Sequence, residues 1–118
     1  MRVLVVEDDF LIRQLVVEAL QDEGHQVTQA ASSDEALSRC RLEEADVLVT
    51  DIRLPGSVDG WDIAERCRAD HPGLRVIYAT GFSPVAHRPV PGSVTLQKPF
   101  HPREIVRVIR RFDEEGRR

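Results

Sequence analysis

The stretch Val47-Leu48-Val49-Thr50-Asp51 decides the reading of this chain. Four residues suited to a buried strand run straight into an acid. A short apolar run bounded by turn signals suits a strand covered on both faces. Pro55-Gly56 and Asp59-Gly60 follow, so the run ends in a loop. Asp51 then lies at the carboxyl end of a strand, where open α/β sheets bind their ligands. Taken alone, such an acid is more often a solvated strand end than a site. The flanking sequence changes that balance.

Upstream, Arg2-Val3-Leu4-Val5-Val6 is a second apolar run, and it ends in Glu7-Asp8-Asp9. A helix follows from about Asp9 to Glu23, with Ile12, Leu15, Val16, Ala19 and Leu20 at helical spacing and Gly24 as its stop. Gln26 to Ala30 reads as a weaker strand at a sheet edge. Ser32 and Glu35 fit a capping box opening helix two, whose Ala36, Leu37 and Cys40 face inward. Downstream of the Asp51 loop, helix three runs from about Gly60 to Ala69 and buries Ile63, Ala64 and Cys67, with Trp61 as a partly buried packing residue. Arg75 to Ala79 is strand four, ending in Thr80-Gly81. Val94 to Gln97 is strand five, ending in Lys98-Pro99. His101-Pro102 starts the last helix, with Pro at its first position. Its apolar stripe is Ile105, Val108, Ile109 and Phe112; Arg103, Arg107 and Arg110 line another face; Asp113-Glu114-Glu115 and Arg117-Arg118 read as a frayed, charged tail.

Strand and helix alternate, and the strands are apolar. That pattern predicts an α/β fold with a doubly wound, five-stranded parallel sheet covered by helices on both faces. With 118 residues, the chain is read as one domain, 1–118. A net charge of −4 leaves no broad basic footprint for nucleic acid, and no apolar run approaches bilayer length. Met1 directly precedes the first strand, which leaves no room for a signal peptide and favours a free-standing protein. Cys40 and Cys67 read as small core residues in a reducing compartment, with neither a metal nor a required disulfide. The four histidines are scattered without ligand spacing.

Each polar group of interest falls just after a strand: Glu7 and Asp8, Asp51, Thr80, Lys98. Strand ends on one rim of a parallel sheet gather in space. Three carboxylates together repel, and a hard divalent cation such as Mg2+ relieves that repulsion. A Lys adds a second positive charge, and a Thr hydroxyl adds a donor. The set suits a phosphoryl group arriving at a carboxylate nucleophile. The chain has 15 Arg and one Lys, and that Lys is at this rim. A compact ammonium bonds a single oxygen in a tight site, whereas a guanidinium needs a fork-shaped space.

At this point the chain resembles the receiver domains of two-component response regulators, and is similar to the small chemotaxis regulator. The resemblance covers nearly all of the chain. It is carried by Val5-Val6-Glu7-Asp8-Asp9, by Thr50-Asp51 with Pro55-Gly56 and Asp59-Gly60, by Ala79-Thr80-Gly81 and by Lys98-Pro99-Phe100. It implies a flavodoxin-like (βα)5 fold, with Asp51 as phosphoacceptor. It implies Mg2+ held by Glu7, Asp8, Asp51 and the backbone carbonyl of Arg53. Thr80 would be the switch hydroxyl, Gly81 the small residue that leaves room at the phosphate, and Lys98 the phosphate-bonding lysine, followed by a cis bond to Pro99. Asp9 helps to start helix one. The implied partners are a histidine kinase or histidine phosphotransfer protein and a downstream protein, with no nucleic acid or membrane. The implied protein is a cytoplasmic monomer or weak homodimer, not an enzyme in its own right, that promotes its own phosphorylation and dephosphorylation.

Three departures from the family pattern stand out. The loop from Pro55 to Asp59 is one residue longer than usual. The segment from Gly81 to Ser93 holds Pro84, Pro89 and Pro91; Ser83-Pro84 could cap a helix that Pro89 stops after about one turn, so the fourth helix is expected to be short or missing. The aromatic switch partner three residues before the lysine is Thr95 here. These features resemble an atypical receiver subgroup found as stand-alone proteins and in hybrid kinases. The expected output is a change in the face made by strand five, the last helix and the 81–93 loop. Arg53 and Phe82 are expected to tune the phosphoryl lifetime. Two alternatives stay open. One is an Asp-nucleophile phosphatase of the haloacid-dehalogenase kind, which needs an acid where Arg53 stands; the other is a receiver-like adaptor that works without phosphorylation.

Overall fold

A computed structural model describes residues 1–81 and 87–116 of the chain. The elements run β1 Arg2–Val6, α1 Phe10–Asp22, β2 Gln26–Ala30, α2 Ser33–Leu42, β3 Val47–Asp51, α3 Gly60–Asp70, β4 Arg75–Thr80, β5 Val94–Gln97 and α4 Pro102–Gly116. All four strand pairings are parallel, and the order is β2-β1-β3-β4-β5. This is the expected doubly wound, flavodoxin-like sheet.

Alternation along each strand feeds two separate cores. Leu4, Val6, Leu48, Val76 and Tyr78 point to one face, against Ala36, Cys40, Trp61, Ile63, Ala64 and Cys67 of α2 and α3. Val3, Val5, Val47, Val49 and Ile77 point to the other, against Val16, Val17 and Leu20 of α1 and Ile105, Ile109 and Phe112 of α4. β3, buried along its whole length, is covered on both sides. Cut off from water, its backbone groups are paired within the ladder, which fixes the height of Asp51 at the strand end.

Helix ends follow local chemistry. Asp9 caps α1, its Oδ1 accepting from the N–H groups of Leu11 at 2.9 Å and Ile12 at 3.1 Å. Ser32 caps α2 by accepting from the Glu35 N–H. The reciprocal capping box lies at α3 instead, between Asp59 and Asp62. Gly24, at φ 88°, makes the left-handed turn after α1 that a side chain would resist. The Lys98–Pro99 bond is cis.

Several expectations need correction. Leu15 is exposed, because the buried stripe of α1 runs through Val16, Val17 and Leu20. Trp61 is fully buried, packed between Tyr78 and His87. The last helix runs on to Gly116, with Glu115 paired to Arg75, so the 113–115 acids belong to the helix. Cys40 and Cys67 form a disulfide joining α2 to α3. The inward positions that made them look like inert core thiols also bring them face to face, and the thiol argument for a reducing compartment falls away.

No helix occurs at Gly81 or at residues 87–93, the described parts of the β4–β5 connection. The proposed Ser83-Pro84 cap, Phe82 and Arg117-Arg118 of the charged tail lie outside the described residues. Residues 87–91 instead form a strap on α3 and β4. His87 packs on Trp61 with ring centroids 5.4 Å apart, and the Val90 N–H donates to Tyr78 Oη at 3.1 Å. Arg68 donates to the Pro91 carbonyl. Arg88 pairs with Asp62 at 2.8 Å and Glu65 at 2.9 Å.

Candidate functional site

The carboxyl ends of β1, β3 and β4 and the residues following β5 meet at one rim. β1 delivers Glu7 and Asp8, β3 delivers Asp51, β4 delivers Thr80, and the turn after β5 delivers Lys98. Carboxylate oxygens of Glu7, Asp8 and Asp51 all lie within 4.8 Å of one another. Lys98 Nζ reaches Glu7 Oε1 and Asp51 Oδ2, each at 2.7 Å. The lysine is set by its own backbone, since its N–H donates to the Thr80 carbonyl at 2.7 Å.

Asp51 Oδ2 accepts from Lys98, while Asp51 Oδ1 accepts from the Ile52 N–H at 2.7 Å. Gly60 packs directly beneath it: a Cβ there would stand 2.0 Å from the Asp51 carbonyl oxygen. The Gly60 N–H also donates to the Ile52 carbonyl at 2.7 Å. The start of α3 is therefore built onto the backbone that presents Asp51. Ser33, buried at the start of α2, steadies the intervening loop, donating its N–H to the Pro55 carbonyl and accepting from the Val58 N–H.

Glu7 is 5 % exposed and Asp51 9 %. Burial pushes Glu7 up to about 7; the Lys98 bond opposes this and the charge of Asp51 adds to it. For Lys98 burial alone would lower the value, yet the bonds to Asp51 and Glu7 outweigh it and hold the ammonium above its ordinary range. Lys98 thus stays charged at neutral pH and serves as resident counter-ion to crowded carboxylates. Buried carboxylates beside exposed Asp8 are a donor set of hard oxygens, and they fit a hard divalent cation.

Thr80 is buried at the end of β4, and its Oγ1 donates to the Gly81 carbonyl at 3.0 Å. Gly81 is exposed, and a Cβ there would meet nothing within 4 Å. Arg53 is exposed two residues beyond Asp51. The rim thus gathers the carboxylates of Glu7, Asp8 and Asp51, with Lys98 bonded to Glu7 and Asp51 and Thr80 on the adjacent strand. Sequence reading passed over Arg13, whose Nη1 donates to the Glu7 carbonyl at 2.7 Å.

The family model of the response regulator receiver domain matches residues 3–110. The chain belongs to that family. It is a phosphoacceptor module of two-component signalling. It is 36% identical over 115 residues to the response regulator receiver protein CpdR of Brucella abortus, covering 94% of this chain and 95% of CpdR. It is also 32% identical to the sensor kinase CckA of the same organism, covering 96% of this chain and 12% of that kinase. The same unit therefore occurs nearly alone and as a small part of a much longer protein. Among solved structures, a response regulator receiver protein from Sinorhizobium medicae superposes with a TM-score of 0.88 at 27% identity, over 95% of this chain and 93% of that one. No described helix is long and apolar enough to cross a membrane.

Proposed function

We propose that the chain is a single receiver domain whose Asp51 takes a phosphoryl group from the phosphohistidine of a kinase or phosphotransfer protein. The observation that carries this reading is the Lys98 ammonium bridging Glu7 and Asp51, with Asp8 beside them. An Asp51 carboxylate oxygen attacks phosphorus, the P–N bond to the donor imidazole breaks, and an aspartyl phosphate forms. Glu7, Asp8, Asp51 and the Arg53 carbonyl are the residues that would hold Mg2+, which supplies charge neutralisation on the transferring oxygens. Lys98 follows the charge from the Asp51 carboxylate onto a phosphoryl oxygen. Thr80 exchanges its bond to the Gly81 carbonyl for one to the phosphoryl group, and Gly81 leaves the approach open. Water later hydrolyses the acyl phosphate, at a rate set in part by Arg53 at the mouth.

The output is a change of the face formed by β5, α4 and the strap, which a downstream protein reads. Thr95 is exposed on β5 opposite Tyr78, so no aromatic swing runs through it. Tyr78, two residues before Thr80 on the same face of β4, ties to Trp61 and to the strap and takes that part. A kinase donor that consumes nucleoside triphosphate supports a cytoplasmic location for the chain. A phosphatase reading lacks its acid, since Arg53 stands in that place.

The test is transfer from an autophosphorylated histidine kinase carrying labelled phosphate. Label should move to the wild-type chain with Mg2+ and stay on the kinase with Asp51→Asn. Label reaching the Asp51→Asn chain equally well would refute the assignment.

A further inference from the structure

The connector Glu7-Asp8-Asp9 between β1 and α1 has no regular structure, yet it carries two of the three clustered carboxylates. Few bonds hold it. The Glu7 N–H donates to the Ala30 carbonyl at 3.0 Å, and the Asp9 N–H donates to Glu7 Oε2 at 3.3 Å. The Glu7 carbonyl accepts from Arg13 Nη1 at 2.7 Å. That carbonyl belongs to the peptide joining Glu7 to Asp8. Because a peptide is planar, fixing its oxygen also fixes the N–H and Cα of Asp8. The guanidinium is oriented in turn: Arg13 Nε donates to Gln29 Oε1 at 3.2 Å, and the Phe10 ring lies 5.6 Å from Arg13 Cζ.

We infer that Arg13 is a positioning residue for the divalent cation, holding the Glu7–Asp8 peptide so that both carboxylates meet Asp51. The inference rests on the cation site proposed above. It has an uncommon property: position and charge pull in opposite directions. A guanidinium near three carboxylates repels a cation, so by Coulomb's law alone its removal strengthens metal binding. If its task is to hold the acids in place, its removal weakens binding, as loss of a supporting bond behind metal ligands does.

The experiment is calorimetric titration of Mg2+ into the chelator-treated, unphosphorylated protein. Wild type should bind, and Asp8→Asn should lose binding. Arg13→Met keeps side-chain length without charge or donors, and its affinity should fall roughly 10-fold or more. Arg13→Lys keeps the charge and one donor, and should recover part of the loss. Gln29→Leu frees the guanidinium without altering charge and should weaken binding by a smaller factor. Equal or tighter binding by Arg13→Met, with wild type binding normally, would overturn the positioning role and leave the phosphoacceptor reading intact. Should Arg13→Met fail to fold, wild-type affinity in both Arg13→Lys and Gln29→Leu overturns it. A wild type that binds no divalent cation would overturn the cation site and this inference together.

Discussion

Glu7 is buried between an ammonium and a second carboxylate, and its proton follows from that place. With a folded value of about 7 against an ordinary 4.5, the native state keeps a proton that the unfolded chain has already released. Stability falls with rising pH wherever the native state binds more protons. In metal-free protein the loss therefore runs from about pH 4.5 to 7 and is complete above that, amounting to about 3 kcal/mol. Glu7→Gln should remove this slope: urea unfolding in chelator should match wild type near pH 4.5 and show the variant more stable at pH 8. Lys98→Met should slow phosphoryl gain by roughly 100-fold, the scale of losing one charge-directed donor. Intact mass against time reads that rate. At this scale much was legible. Asp51, Asp8, Glu7, Thr80 and Lys98 each end a strand, and strand ends on one rim must converge. Arg13 was not legible, because a guanidinium that reaches back to a carbonyl leaves no pattern in side-chain hydropathy.

The elements explain why Asp51 stands still. α3 begins on its backbone, with the Asp59–Asp62 capping box satisfying the helix start and Gly60 closing the gap. Gly60→Ala forces a methyl group against the Asp51 carbonyl, so it should cost about 1–3 kcal/mol in urea unfolding and slow phosphorylation as well. Period and punctuation place the strands, α1 and α3 to within a residue or two, since apolar strands and capped helices carry local signals, whereas α4 runs past its Phe112 stripe to Gly116. Two features stayed hidden. The Cys40–Cys67 disulfide depends on how α2 meets α3, which no spacing encodes. The strap from His87 to Pro91 shows in the sequence only as prolines that forbid a helix; its grip on Trp61, Tyr78 and the acids of α3 is tertiary. Trp61 was undervalued for the same reason, as its contacts with Tyr78 and with His87 of the strap are tertiary.

At the scale of the whole molecule, a parallel sheet with two cores makes one rim rigid and puts the chemistry there. The family match over residues 3–110 and the superposition on a receiver protein agree with that architecture. The central claim is that Asp51 accepts a phosphoryl group with the help of a divalent cation. The most direct measurement is intact mass after incubation with acetyl phosphate, with Mg2+ and with chelator, on wild type and Asp51→Asn. A gain of one phosphoryl group in wild type with Mg2+, lost with chelator and lost in the variant, is the predicted result. A folded wild type that gains nothing under conditions that load another receiver, or an Asp51→Asn variant that gains as much as wild type, would contradict it.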